Sequence, residues 1–199
     1  MTRPLMPMLG PRPTDLVVTW DPANKGANIT LSNGNLDADG ATAFNTVRST
    51  LGKSAGKYYA ELLVNTYSGG GNLIVGFVDG SASLTTYAGN SAKGRGGQLN
   101  GTSYVNGWTA GSAWAGAAAT NVIGLAIDLS AGKGFIAVNN TWQGSSDPAA
   151  GTNAWVTAVT GTVYIATSPA VTGNRVTLRT KASQFTYSPP SGYSAWATP

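Results

Sequence analysis

Residues 121–142 read NVIGLAIDLSAGKGFIAVNNTW, and this stretch decides the fold class. It contains two short runs of apolar and β-branched residues, 121–129 and 133–138, separated by a Ser-Ala-Gly turn. Asn139-Asn140 follows the second run, and asparagine tolerates the positive φ that tight hairpin turns need. Runs of this length, bounded by turn residues, are typical of β-strands. The stretch therefore predicts three consecutive short strands.

Strands of the same kind are predicted on both sides of this stretch. Residues 57–64 are rich in aromatic and β-branched residues, and residues 72–78 are almost continuously apolar, as expected for a central strand. Gly76 interrupts the second run, which predicts a bulge or close packing against a large side chain. Further strands are predicted over 27–32 and 35–38, joined by Asn33-Gly34 as a type I′ turn, and over 163–166, 175–179 and 184–187.

The composition supports an all-β chain with one main domain. The 27 glycines, with many Ala, Thr, Ser, Asn and Val, suit short strands joined by tight turns. Strong helix formers are scarce, Glu61 is the only glutamate, and no segment shows a sustained helical period. A length of 199 residues fits a single sandwich. We therefore predict a β-sandwich over residues 15–199, preceded by an extended arm over residues 1–14.

The arm has a composition of its own. Four prolines within its first 13 residues fix φ and remove backbone donors, which predicts an extended conformation and argues against a signal peptide. Its apolar residues are unusual for a solvated tail: Leu5, Met6, Met8 and Leu9. Two interpretations remain open. The arm is either a disordered terminus or an anchor that lies on a neighbouring subunit, since Met and Leu make adaptable contacts.

The charges are few and scattered, which excludes several classes of partner. The chain has 12 Lys and Arg against 8 Asp and Glu, and no block of like charge occurs. A nucleic-acid-binding arm or a polybasic membrane anchor needs such a block, and no stretch approaches the ~18 apolar residues of a membrane span. We expect neither nucleic-acid binding nor membrane insertion. The chain has no cysteine, which excludes disulfides and thiolate metal sites.

Residues 81–119 differ from the rest of the chain and contain the predicted binding surface. They are rich in Gly, Ser and Asn, which predicts long loops, and loops on a rigid sheet are where binding residues concentrate. The basic stretch 93–97 is either an anion nest or a solvated loop. The aromatic residues either cap the edge of the sandwich or form a contact surface. The candidate surface residues are Tyr87, Lys93, Arg95, Tyr104, Trp108 and Trp114.

Six segments, taken in order, resemble the conserved strands of SPRY domains. They are GKYYAE (56–61), IVGFV (74–78), IGLAIDL (123–129), FIAVNNTWQG (135–144), VYIATSPAV (163–171) and FTYSPPSGY (185–193). Residues 21–26 and 32–35 are similar to SPRY-like proteins of tailed bacteriophages and of their bacterial hosts. Residues 81–119 do not align with the pattern.

The resemblance implies an antiparallel two-sheet β-sandwich of the concanavalin A-like jelly-roll type, which binds protein or glycan without catalysing a reaction. For a phage protein it implies a virion component, made in the bacterial host cytoplasm and located on the particle surface. The partners it implies are other virion proteins of the capsid or tail, a second copy of the chain as a homo-oligomer, and a host-surface glycan or protein.

The chemistry-bearing residues argue against catalysis and against a cofactor. Without histidine there is no Ser-His-Asp arrangement, and without histidine and cysteine there is no zinc site. Glu61 has no acidic neighbour on its strand, whereas glycoside hydrolysis needs two carboxylates. Asp37 and Asp39 are expected at a solvated strand end, and Asp128 is expected to accept turn amides. Asp79 and Asp147 are too isolated for calcium. We therefore predict no metal, no cofactor and no catalytic residue.

Three functions follow from these observations. The first is a structural protein of the virion, a decoration, spike or fibre component, docked through the arm. The second is a receptor-binding module that recognises a host-surface glycan or protein through the aromatic residues of 81–119. The third and most distant is a lectin-like glycoside hydrolase that depends on Glu61.

Overall fold

The computed structural model describes residues 16–109 and 114–199, and of Trp108 and Thr109 it describes the backbone alone. The arm residues Leu5, Met6, Met8 and Leu9 lie outside the described residues. The strands are β1 (Trp20–Lys25), β2 (Ile29–Ser32), β3 (Asp37–Gly40), β4 (Val47–Ser49), β5 (Lys57–Thr66), β6 (Leu73–Asp79), β7 (Gly94–Gln98), β8 (Ser103–Val105), β9 (Trp108–Thr109), β10 (Val122–Asp128), β11 (Lys133–Val138), β12 (Thr141–Trp142), β13 (Val163–Pro169), β14 (Arg175–Arg179) and β15 (Ser194–Ala195).

These strands form two sheets that pack against each other. Sheet A has the order β1-β4-β13-β6-β7-β8-β9, and sheet B has the order β12-β11-β10-β5-β14-β3-β2. All of these strand pairs are antiparallel, and β15 adds to β5 in parallel. The structure thus confirms the predicted antiparallel two-sheet sandwich.

Helices play almost no part in the described ranges. They comprise two three-residue 3-10 turns, Gln143–Ser145 and Ala182–Gln184. Within 16–109 and 114–199, the chain contains no helix with the length and apolar character needed to cross a membrane.

The core lies between the sheets, where inward-facing side chains of both sheets meet. Ile123, Leu125 and Ile127 of β10 are fully buried and belong to one cluster with Phe77 of sheet A. The Phe77 ring stacks on that of Trp196, with centroids 6.5 Å apart. Each such side chain stabilises the fold by about 1.5–3 kcal/mol through removal of apolar surface from water.

β10 is buried on both faces, which explains its continuous apolar sequence. Its outward residues are small: a Cβ at Gly124 would lie 2.9 Å from the Tyr59 hydroxyl oxygen. Tyr59 and Phe185 meet edge to face on that side of sheet B, with centroids 5.0 Å apart, and Trp142 packs on the same cluster. Segment 185–193 therefore covers the outer face of sheet B, and Trp142 is a packing residue there.

The two predicted asparagine turns differ in outcome. Asn139 and Asn140 form the predicted two-residue turn between β11 and β12, with φ of 46° and 67°. At the other site, Ser32 pairs with Asp37, so four residues connect β2 and β3. The two-residue turn predicted at Asn33-Gly34 is therefore wrong. In the longer connection Asn35 also adopts a positive φ, of 65°.

The prediction that 93–97 is a loop is also wrong, and with it the anion nest of glycine amides that such a loop would form. Residues 94–98 form β7, and 94–97 are buried. Its glycines are needed for packing on both faces: a Cβ at Gly96 would overlap the carbonyl oxygen of Ala88, and a Cβ at Gly97 would lie 3.0 Å from the Trp155 ring. Glycine in this strand marks close approach of neighbouring groups rather than chain flexibility.

Candidate binding surfaces

Two of the predicted surface residues, Tyr87 and Tyr104, lie side by side. Their rings meet edge to face with centroids 5.0 Å apart, and Phe44 meets Tyr87 in the same way at 5.6 Å. All three side chains are partly exposed. We call Phe44, Tyr87 and Tyr104 the tyrosine surface. It is a row of aromatic edges and faces with phenol hydroxyls, a combination suited to apolar partner residues and to sugar rings.

A segment folded over the outer face of sheet A builds this surface. We call residues 82–92 the strap. The Thr46 hydroxyl donates to the carbonyl oxygen of Thr86 at 2.6 Å, and the Ala88 amide donates to the Ser168 hydroxyl oxygen at 2.9 Å. The glycines of β7 let the strap backbone lie directly on the sheet. Tyr87 is therefore held against Tyr104, which reaches the same face from β8.

The tyrosine surface is uncharged and its rings are fixed. Tyr104 Oη donates to Gln98 Oε1 at 2.9 Å. Burial, and then the neighbouring Tyr104, raise the pKa of Tyr87, so that it stays a neutral phenol at physiological pH. A rigid aromatic surface loses little conformational entropy when a partner binds.

The two tryptophans of the predicted surface have different outcomes. Trp114 is 5% exposed and belongs to the core between the sheets, so its predicted exposure is wrong. The cause is Gly97, which leaves room for Trp114 and Trp155 against the inner face of β7. The side chain of Trp108 lies outside the described residues.

The remaining two predicted residues, Lys93 and Arg95, line a cavity of about 250 Å³ at one end of the sandwich. We call it the end cavity. Its walls are the end of β6, the start of β7, Val163 of β13 and residues 158–160. In register, Arg95 lies opposite Phe77 and Val163 lies opposite Asp79, so these side chains share the inward face of sheet A. Neither tyrosine of the tyrosine surface lines it.

Arg95 is a wall of this cavity and not an exposed basic residue. It is 9% exposed, which corrects the prediction that it belongs to a surface loop. Within the described part of the chain, its guanidinium donates only to backbone carbonyl oxygens, namely those of Ala92 (3.0 Å), Gly94 (2.8 Å), Thr157 (3.3 Å) and Ala158 (3.0 Å). Desolvation by burial lowers its pKa, but an arginine remains charged in proteins. Arg95 thus ties residues 157–158 to sheet A.

Lys93 lies at the exposed mouth of the end cavity. Its side chain is 57% exposed, and its Nζ lies 3.3 Å from Asp79 Oδ2. The amide and hydroxyl of Ser81 donate to Asp79 Oδ1 at 2.7 and 2.8 Å. Burial alone would raise the pKa of Asp79, but these hydrogen bonds and Lys93 outweigh it and lower the pKa. The Asp79 carboxylate therefore stays charged.

The carboxylates that a hydrolase would need are occupied by structural contacts. Glu61 is fully buried; it accepts hydrogen bonds from the amides of Thr186 and Tyr187, both at 2.8 Å, and pairs with Arg179. A substrate has no access to it, and the structure therefore gives no support to the hydrolase interpretation.

The aspartates are held in the same way. Asp128 accepts the Ala131 amide at 3.0 Å, as predicted for a turn. Asp37 is 8% exposed and accepts the Thr177 hydroxyl, so the solvated position expected for Asp37 is wrong, whereas the Asp39 side chain is 21% exposed and pairs with Arg175. Among the described residues, no group of three or more acidic side chains is placed to hold a metal ion.

Comparison with known proteins gives a likeness of fold. The SPRY domain of human HERC1 superposes with a TM-score of 0.62 and 15% identity, covering 80% of this chain and 96% of that domain. The PSpry domain of TRIM65 gives 0.61 and 15%, with coverage of 81% and 90%. The stonustoxin structure gives 0.57 and 21%, covering 81% of this chain but 26% of that one. No protein-family model matches the chain, and no curated protein sequence matches it.

These comparisons agree with the resemblance seen in the sequence. The chain has a SPRY-like β-sandwich fold.

Proposed function

We propose that this chain is a non-catalytic protein-binding module, and that it serves in the virion of a tailed bacteriophage as a head or tail decoration, spike or fibre component. The observation that carries the binding role is the tyrosine surface, a fixed and uncharged aromatic row on the outer face of a SPRY-like sandwich. The virion role is supported by the similarity of residues 21–26 and 32–35 to phage proteins. Its site would be the particle surface, after synthesis in the bacterial host cytoplasm.

The arm is the proposed anchor, and its partners are capsid or tail proteins and a second copy of this chain. Its prolines keep the backbone extended, which lowers the entropy lost on docking. Its Leu and Met side chains supply apolar area that the prolines leave free to contact another subunit. Apart from these apolar side chains, residues 1–14 have few side chains, polar or charged, with which to bind a partner.

Deletion of residues 1–14 is expected to convert a self-associating chain into a monomer. The reason is the loss of the apolar contacts of the arm, since the buried core of the described residues begins at Val18. Mass photometry and sedimentation velocity measure the change. A variant in which Leu5, Met6, Met8 and Leu9 are all replaced by serine keeps the length and the prolines, and it should be monomeric as well. Equal oligomeric states for all three proteins would refute the anchoring role.

A second candidate function, a receptor-binding module for a host-surface glycan or protein, is favoured by the spacing of Tyr87 and Tyr104. Two phenol rings 5.0 Å apart in an edge-to-face pair present both an apolar face and hydroxyl groups. Sugars are bound by that combination of stacking and hydrogen bonding.

The double variant Tyr87→Ala, Tyr104→Ala is expected to weaken binding to host-surface polysaccharide by about five- to 150-fold, because each of the two lost ring contacts is worth about 0.5–1.5 kcal/mol. Affinity electrophoresis in gels containing the polysaccharide measures it. Tyr104→Phe is the matched control, since it keeps the ring and removes only the hydroxyl that donates to Gln98. Unchanged mobility shifts in the double variant would exclude this surface. Trp114→Ala is unsuitable as a test, because Trp114 belongs to the core.

A further inference from the structure

The charged side chains that line the end cavity do not balance one another. Lys93 and Arg95 line it together with Asp79, which leaves one net positive charge. None of the ion pairs among the described residues includes Arg95. A buried charge without a counter-charge is costly even when carbonyl dipoles solvate it. An anion that enters the cavity would supply the missing negative charge.

The guanidinium of Arg95, a residue that lines the cavity, retains one unused donor. It has five N–H groups, and four of them are used by carbonyl oxygens. One N–H on Nη2 has no acceptor among the described residues. Three of the four carbonyls belong to residues that line the cavity, Ala92, Gly94 and Ala158, so the guanidinium lies at the cavity wall.

The wall beside Arg95 is held in a strained conformation. Ala158 has a φ of 54°, which is costly for a residue with a Cβ. The strain is offset because its carbonyl oxygen accepts a hydrogen bond from Arg95 Nη2 at 3.0 Å. The hydrogen bond between Arg95 and Ala158 therefore joins two walls of the cavity, β7 and residues 158–160.

Lys93 is available to a ligand. Its contact with Asp79 is long, at 3.3 Å, and its side chain is mostly exposed. Exposed ion pairs of this kind contribute little. Asp79 keeps its two hydrogen bonds from Ser81 when Lys93 turns away. When Lys93 exchanges Asp79 for an incoming anion, Asp79 Oδ1 keeps both Ser81 hydrogen bonds, and Oδ2 is left to solvent on a side chain that is 22% exposed.

The inner wall is apolar, and the space is small. Phe77, Val159 and Val163 line it and are almost fully buried. A volume of about 250 Å³ lies below the range of about 300–1,000 Å³ for drug-sized ligands. The cavity therefore accepts a group the size of one amino-acid residue, with an apolar part inside and a charge at the mouth.

We propose that the end cavity binds a carboxylate carried on a short apolar stem, contributed by the C-terminal residue or an acidic side chain of a partner protein. The single net positive charge matches a monoanion. A phosphate group carries about −1.5 to −2 at pH 7, and Asp79 at the mouth repels the second charge. This site goes beyond the tyrosine surface and is independent of it.

The test is a titration of the ¹⁵N-labelled full chain, followed by backbone amide chemical shifts. N-acetyl-leucine represents a C-terminal residue, N-acetyl-glutamic acid α-amide represents an acidic side chain, and N-acetyl-leucinamide lacks the charge. We expect saturable shifts at the amides of Gly94 and Val159 with one or both acids, with Kd in the millimolar range that such small ligands reach. The amide should bind at least about tenfold more weakly, as expected for loss of a charged hydrogen bond. The tighter of the two acids identifies the source.

Lys93→Gln should weaken binding of the acid by about tenfold as well, through the same loss of a charged hydrogen bond. The change is at an exposed position, so folding is preserved. Lys57→Gln is the matched control: it removes a lysine–aspartate pair on sheet B, with Lys57 39% exposed, and Lys57 does not line the cavity.

Three results would overturn the assignment. They are the absence of saturable shifts with both acids, equal binding of N-acetyl-leucinamide, and tighter binding of inorganic phosphate than of either acid. None of these results bears on the arm or on the tyrosine surface, whose variants are measured separately.

Discussion

Gly76→Ala is expected to lower the free energy of unfolding by at least about 3 kcal/mol, at the upper end of what overpacking costs. Gly76 lies in the middle of β6, opposite Gly96 of β7 and Ala166 of β13. A Cβ there would overlap the carbonyl oxygen of Arg95. That atom belongs to the backbone of the adjacent strand, so no side-chain rotation relieves the clash. β6 and β7 would have to separate at the centre of sheet A.

The measurement is urea denaturation followed by tryptophan fluorescence. Gly80→Ala is the matched control, because Gly80 follows the same strand and a Cβ there would meet its nearest neighbours, Arg48 and Tyr164, at an ordinary 3.5 Å. That variant should be neutral or stabilise the protein by up to about 1 kcal/mol, since alanine reduces the entropy of the unfolded chain. A Gly76→Ala protein as stable as the Gly80→Ala protein would show that β6 and β7 are not in this register.

Glu61→Gln is expected to destabilise the protein by about 3 kcal/mol, at the lower end of the cost of breaking a buried ion pair. Both carboxylate oxygens accept backbone amides, Oε2 from Thr186 and Oε1 from Tyr187, each at 2.8 Å. Glutamine has one acceptor oxygen, so its NH₂ group would face one of these N–H groups. It would also leave Arg179, 3.5 Å from Oε2, without its counter-charge.

The destabilisation caused by Glu61→Gln should be greatest at the outer face of sheet B. Tyr59 Oη donates to Glu61 Oε1 at 3.2 Å, and burial, followed by the charge of Glu61, raises the pKa of Tyr59 so that it stays protonated. Segment 185–187 is anchored there through Glu61, so we expect faster amide hydrogen exchange at Thr186 and Tyr187 in the variant.

Two control variants serve as a comparison for the loss of stability in Glu61→Gln. Tyr59→Phe removes a single hydrogen bond and should cost about 1 kcal/mol. Asp39→Asn removes the exposed pair with Arg175 and should leave the urea midpoint unchanged, because solvent screens that pair. If Glu61→Gln were no more harmful than Asp39→Asn, Glu61 would not anchor the C-terminal segment.

The sequence predicts most of the strands of this sandwich because they carry their own local signals. The runs at 57–64, 72–78 and 133–138 coincide with β5, β6 and β11 to within two residues at their ends. β7 was missed because GRGGQ has neither alternation nor β-branched residues. Its strand conformation comes from pairing with β6 and β8 and from the contacts that its glycines allow.

The candidate site was predicted in part. Tyr87 and Tyr104 were identified from their aromatic character in a polar region, and they are adjacent in the structure. Phe44 was missed because nothing around it in the sequence signals a surface, and only the strap brings Tyr87 next to it. Trp114 was misplaced because a tryptophan among glycines and serines has the same local pattern whether it is exposed or buried.

The sequence by itself determined the all-β class, the hairpin between β11 and β12 and the absence of histidine and cysteine chemistry. These properties depend on side-chain type and on the alternation of neighbours along the chain, which operate over a few residues. The tertiary structure alone decided that Arg95 is buried, that Asp79, Lys93 and Val159 share a cavity, and that Gly96 makes room for the strap. Those properties depend on segments distant in sequence that meet across the sheets. A local sequence pattern therefore does not indicate which backbone segment will pack against which glycine.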